Sequence, residues 1–168
     1  NADYRTVDVN VSAIALPEVF LGLIPGWGGA YLLPNLIGIE NALKVIIENP
    51  LKNNRMLNAS AAFELGIADA MFGSARFLEE SILWADSVLN GHHPHRPNQP
   101  GKVERLAKWN LAVNIAKKSV EEKLGSVAKS PYAALELLEQ ARKVDKEAAF
   151  AREDEAIASL IVGDQFQA

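Results

Sequence analysis

The chain has 168 residues, 49% hydrophobic and 23% charged, with a net charge of −4 and a pI near 5.4. That length and balance describe one soluble globular domain, and the acidity supplies no basic stripe to neutralise nucleic-acid phosphates. Without cysteine there is no disulfide, thiolate nucleophile or Cys-based zinc site, a composition that fits a cytoplasmic protein. No apolar run reaches the ~18 residues of a membrane span.

In chain order, Val7, Val9 and Val11 alternate with polar residues, and Ile14, Ala15 and Leu16 follow. The spacing predicts a strand or strand pair over 3–16, ended by Pro17. Glu18 is then a single acid inside an apolar run that leads to Pro25. Gly26, Trp27, Gly28 and Gly29 come next, three glycines in four positions. An unpaired carboxylate is costly to bury, so it is normally paired, hydrogen-bonded or retained for chemistry. Glycines let backbone approach a ligand closely and leave N–H groups at the next helix start, where they can meet negative charge. The plain alternative is a surface glutamate beside a tight corner.

A short helix is predicted from Gly28 or Gly29 to about Leu33, interrupted by Pro34 and Gly38, then a helix over 39–48 stopped by Asn49-Pro50. After a polar loop, Asn58 should cap a helix over 59–65 with Gly66 in the left-handed position at its end. A short strand or extended apolar segment over 67–72 and a helix over 75–89 capped by Ser74 complete this part. Positions 91–101 hold three prolines and two glycines and read as a linker. His92, His93 and His95 lie there, but a Pro-broken loop without a nearby carboxylate is a poor metal site. Beyond Lys102 the chain reads as helical. Val103, Leu106, Val113, Val120 and Leu124 form one stripe up to Gly125, and Ser130-Pro131 reads as a helix start. Leu135 and Leu138 face one way in that helix, and Phe150, Ile157 and Ile161 make the stripe of the last. These stripes need a surface to cover: the domain core, a following domain or another subunit. The Lys and Glu residues on the other faces read as solvated surface. The glycine turn lacks the spacing of a dinucleotide loop, and no phosphate-binding Gly-Lys-Ser/Thr loop occurs.

The order Pro17-Glu18-Val19-x-Leu21-Gly22-Leu23-Ile24-Pro25-Gly26-x-Gly28-Gly29, then Leu33-Pro34-x-Leu36-Ile37-Gly38, closely resembles the signature of the crotonase (enoyl-CoA hydratase/isomerase) superfamily. Asp3-Tyr4-Arg5, Ala42-Leu43 and the run from Ala61 to Asp69 extend the resemblance at similar spacing. Trp27 and the long charged helical tail most resemble the multifunctional fatty-acid β-oxidation enzymes. The resemblance implies an α+β fold: the C-terminal half of a crotonase-like domain over 1–90, the 91–101 linker, and a helical extension over 102–168 leading towards a dehydrogenase domain. It also implies that about half of the sheet precedes the Asp-Tyr-Arg position, which fits a chain opening on Asn1 instead of Met.

In that family two glutamates flank a water that adds to a 2-enoyl-CoA while two backbone N–H groups hold the thioester oxygen. Glu18 takes the place of the glutamate that exchanges a proton, and Gly26 that of the glycine beside the water. Gly26, Trp27, Gly28 and Gly29 are the expected substrate-binding residues. The other glutamate and both oxyanion donors belong to the earlier half, so the 168-residue chain alone is expected to be inactive. Ala30-Tyr31-Leu32 stands where many hydratases have Thr-Gln-Arg. Trp27 replaces a common alanine, and core packing is its expected role ahead of shaping an acyl pocket. The implied partners are acyl-CoA, the remaining hydratase half, the dehydrogenase domain and further copies in a homo-oligomer. No cofactor is expected in this chain, since NAD would belong to the dehydrogenase. Isomerisation and a non-catalytic helical docking role are the alternatives.

Overall fold

A computed structural model describes residues 2–94, 96–125 and 127–162. Strand β1 (Thr6–Asp8) pairs in parallel with β2 (Ala70–Phe72), with Val7 opposite Met71. The strand expected over 3–16 is therefore short, and its later part contributes only the bridge between Ile14 and Leu57. Among the described residues this is the whole sheet. Helices account for the rest: α1 (Gly29–Ile37), α2 (Ile39–Leu43), α3 (Asn49–Leu51), α4 (Ala59–Leu65), α5 (Phe77–Leu89), α6 (Trp109–Leu124), α7 (Lys129–Gln140) and α8 (Lys146–Ile161).

The local signals of α4 act as expected. Asn58 Oδ1 accepts the Ala61 N–H at 2.9 Å, and Gly66 closes the helix at φ 82°. Two prolines behave differently. Pro34 lies inside α1, which continues to Ile37, because Leu33, Pro34 and Ile37 are all buried and their packing outweighs one lost ladder bond. Pro50 does not stop its helix either: α2 runs through a π-helical turn (Lys44–Glu48) into α3, and that wider turn adjoins a proline that cannot donate to the preceding turn.

Serine side chains are used for tertiary bonds instead of caps. Ser74 begins a 3-10 turn (Ser74–Arg76) ahead of α5, and its hydroxyl donates to Asp8 Oδ1 at 2.6 Å. Helix α7 starts at Lys129, so Ser130 lies in its first turn, and the hydroxyl donates to the Val19 carbonyl at 3.2 Å.

The helical stripe beyond Lys102 holds at Val113, Val120 and Leu124 but not at its first two positions. A π-helical turn at Glu104–Lys108 inserts an extra residue, rotating the inward face by about one residue's angle. Trp109, Val113 and Val120 are buried, whereas Val103 and Leu106 are exposed. In α8, Leu160 is buried in place of Ile161. One hydrophobic cluster joins Val19, Ile24, Ile37 and Ile46 to Trp109, Val113, Leu135, Leu138 and Leu160. The helices beyond 102 thus cover the core built by α1 and α2.

The described residues of the 91–101 segment are irregular but anchored. Arg96 Nε binds Asp69 Oδ1 at 2.9 Å, Arg96 also donates to the Asp3 carbonyl, and Asn98 Nδ2 reaches the Glu64 and Leu65 carbonyls. Asp69 has no exposed side-chain surface, and its Oδ2 accepts the Arg5 N–H and pairs with Arg5 Nη2, both at 2.9 Å. Two stretches that carried the family resemblance, Asp3-Tyr4-Arg5 and Ile67-Ala68-Asp69, therefore meet in one ion-paired knot. Asp69→Asn keeps an acceptor but removes the charge shared by two arginines, and is expected to lower unfolding stability by about 1–3 kcal/mol. Urea unfolding measures it; a loss below a few tenths would mean that solvent satisfies both arginines.

Candidate functional site

Pro17 to Gly22 form a tight reversal. The Glu18 carbonyl accepts N–H groups from Leu21 at 3.0 Å and Leu23 at 2.8 Å, and Gly22 adopts φ 79°. These bonds place Glu18 at the corner where the extended chain turns towards Ile24 and Pro25, both buried. The Glu18 side chain is partly buried, and its Oε2 is shielded from solvent with no hydrogen-bond partner. A buried, unpartnered carboxylate oxygen is rare in folded chains, because the missing bond has a full desolvation cost. Such an atom is available to a ligand or to a proton in transit. Phe20 and Leu21 beside it are more than half exposed, giving the acid an apolar rim.

The glycine turn follows. Trp27 and Gly28 take left-handed conformations at φ 52° and 89°, and α1 begins at Gly29. Trp27 is 91% exposed, so the expected core-packing role is overturned: its left-handed backbone carries the indole outward. His92 and His93 are exposed on the 91–101 loop, and His95 lies outside the described residues. Among the described residues no cluster of three metal-ligating side chains exists, and no helix is long and apolar enough to cross a membrane.

The N–H groups at the head of α1 do meet negative charge, but it comes from within the chain. Glu153 on α8 accepts the Gly28 N–H through Oε2 at 2.6 Å and the Tyr31 N–H through Oε1 at 3.1 Å. Its side chain is only 1% exposed. Desolvation pushes the Glu153 carboxyl above the usual glutamate range, opposed by hydrogen bonds from the Gly28, Tyr31 and Ala30 backbone. Helix α8 crowds the glycine turn, most severely at Gly28, whose φ of 89° also favours glycine. A Cβ on Gly28 would lie 2.2 Å from Phe150 Cζ, and one on Gly26 would lie 2.8 Å from Ile157 Cδ1.

Two residues of this site are missed by reading the sequence. Glu153 is counted with the solvated charges of α8, although it falls between Phe150 and Ile157 at three- and four-residue spacing, on the inward stripe. Ser130, read as a cap, instead holds the backbone of the residue after Glu18.

No sequence-family profile matches the chain. Over 170 residues it is 32% identical to "Fatty acid oxidation complex subunit alpha" of Idiomarina loihiensis, covering 99% of this chain and 23% of that one. Among solved structures, an enoyl-CoA hydratase from Mycobacterium avium subsp. paratuberculosis superposes with a TM-score of 0.57 at 19% identity, over 98% of this chain and 50% of that one. A carnitinyl-CoA dehydratase from Mycobacterium thermoresistibile gives 0.54 at 20% identity, over 98% and 53%. The fold is crotonase-like, and the chain spans about half the length of these structures and 23% of the curated relative.

Proposed function

We infer that this chain, a crotonase-fold relative of part of the fatty acid oxidation complex alpha subunit, supplies the Glu18 side of an enoyl-CoA hydratase site in a longer β-oxidation enzyme. The observation that carries the reading is Glu18 Oε2, buried and unpartnered at the corner before the glycine turn. In hydration, the water oxygen bonds C3 of the 2-enoyl thioester, the π pair shifts towards the thioester carbonyl, and C2 takes a proton. One water is consumed whole, so no oxidant or reductant is required. Glu18 exchanges a proton with the substrate or the attacking water, a general acid–base role.

Gly26 lends its backbone beside the water, and exposed Trp27, with Phe20 and Leu21, offers an apolar wall to the acyl chain. Gly28 and Gly29 shape the bend on the substrate side, since the Gly28 N–H is already bonded to Glu153. The second glutamate and the thioester-oxygen donors come from the rest of the hydratase domain. Any NAD chemistry belongs to the dehydrogenase domain. A cytoplasmic, homo-oligomeric enzyme suits the cysteine-free composition and this family.

The test is hydration of a short and a long 2-enoyl-CoA, with product analysis, by the full-length protein and by the 168-residue chain. The full-length protein is expected to form 3-hydroxyacyl-CoA, and the chain alone to turn over at least about 100-fold more slowly, because acid–base catalysis and oxyanion stabilisation act together. A shifted double bond as the main product would identify an isomerase. Equal turnover by the two proteins would refute the shared site, and no turnover by the full-length protein would favour a docking role.

A further inference from the structure

We propose that Glu153 is a positioning residue for this site: from α8 it fixes the Gly26–Tyr31 backbone on which the placement of Glu18 depends. The proposal uses the hydratase reading only in its activity arm. Glu153 is separated from Gly28 by 125 positions in sequence, yet its two carboxylate oxygens bind the Gly28 and Tyr31 N–H groups at 2.6 and 3.1 Å. Phe150 and Ile157, one helical turn to either side, occupy the space that side chains at Gly28 and Gly26 would need. The three contacts form one interlocking face, and the carboxylate is its polar centre.

Stability alone does not call for an acid there. Taking a carboxylate out of water is costly, and an apolar residue filling the same volume often serves a fold as well or better. What the carboxylate adds is direction. It takes both N–H groups from one side, at a helix start where the backbone dipole favours negative charge, and so defines the orientation of each peptide plane.

The turn is coupled to Glu18 by a short, stiff connection. Leu23 donates its N–H to the Glu18 carbonyl at 2.8 Å, and buried Ile24 and Pro25 lead from there to Gly26. Directly after Glu18, buried Ser130 of α7 holds the Val19 carbonyl. The helices beyond 102 therefore grip the candidate site at two places, one at the residue after its acid and one at the glycine turn. Small misplacements of a reacting group have large kinetic costs, which gives the grip functional weight.

The experiment compares full-length wild type, Glu153→Gln and Glu153→Asp by hydrogen exchange and by hydration kinetics. Glutamine keeps the shape but can present only one acceptor. Its amide exchange across 26–33 is expected to rise about tenfold, with α6 unchanged, and kcat to fall about tenfold with KM within about threefold. Aspartate keeps the charge on a shorter stem and should fall between glutamine and wild type; it decides the matter if the glutamine variant does not fold. Unchanged exchange at 26–33 would overturn the proposal, as would loosening spread evenly over all helices or a loosened turn with unaltered kcat. A wild-type protein with no hydratase activity would refute the function proposed above, and exchange at 26–33 would then decide whether Glu153 holds the turn.

Discussion

Glu18→Gln in the full-length protein is expected to lower kcat for 2-enoyl-CoA hydration by about 100-fold or more, with KM changed by less than about threefold. Glutamine has nearly the same shape, so the turn around position 18 is retained. The backbone bonds that make this turn run through the Glu18 carbonyl and are indifferent to the side chain. The substitution removes only the capacity to take up and release a proton. Because Oε2 has no hydrogen-bond partner, no fold-stabilising bond to that atom is lost with the charge. A neutral amide in a partly buried site also desolvates more easily than a carboxylate. Unfolding stability should therefore stay the same or rise slightly while activity collapses. That opposition is the useful readout, since a structural glutamate would lose both together. A variant retaining more than about a third of wild-type kcat would remove Glu18 from the chemistry, because positioned acid–base groups contribute far more than that.

The parts of this site that local chemistry controls were legible in the sequence. Glu18 in its apolar run and the glycine turn all lie within twelve positions, and their spacing together with the family resemblance marked them as candidates. Asn58 and Gly66 likewise carried their helix ends in their own side-chain and backbone preferences. What stayed hidden depends on partners far away in sequence. Glu153 bonds Gly28 across 125 positions and Ser130 reaches Val19 across 111, so neither role leaves a mark in its own neighbourhood beyond an acid on an apolar stripe. Val103 and Leu106 were placed on the stripe for another reason: a π-helical turn puts them out of phase with Val113 and Val120, whose burial was read correctly, and no residue at Glu104–Lys108 announces it. Trp27 was assigned inward on size, but its left-handed backbone turned it out. The ion-paired knot at Asp69 was half visible, in that both of its strand segments were recognised without the bond between them.

Trp109→Ala is expected to have the largest effect on stability, about 3–5 kcal/mol. Trp109 is wholly buried and is the bulkiest of the fully buried side chains. Its indole Nε1 donates to the Leu138 carbonyl at 2.8 Å, tying α6 to α7, and the Arg105 guanidinium lies 5.8 Å from the ring centre. Truncation would leave a cavity and also strip the Leu138 carbonyl of this side-chain donor, so the cost combines lost packing with a lost bond. Trp109→Phe would fill most of the space and lose the bond, and is expected to cost about 1–3 kcal/mol. The consequence reaches the candidate site because Trp109 shares one core with Val19, the residue after Glu18, and Ile24, which leads into the glycine turn. Urea unfolding of the chain should therefore show a single transition moved to lower urea, with far-ultraviolet circular dichroism and the fluorescence of the remaining tryptophans changing together. If fluorescence from Trp27 beside the site held to wild-type urea concentrations while helix content fell early, the helices beyond 102 would be an independent unit. The grip of Ser130 on Val19 and of Glu153 on the glycine turn would then be dispensable to the fold of the turn. A single early transition would instead make the helical region an integral wall of the site, because the same core that seats Trp109 also seats the turn.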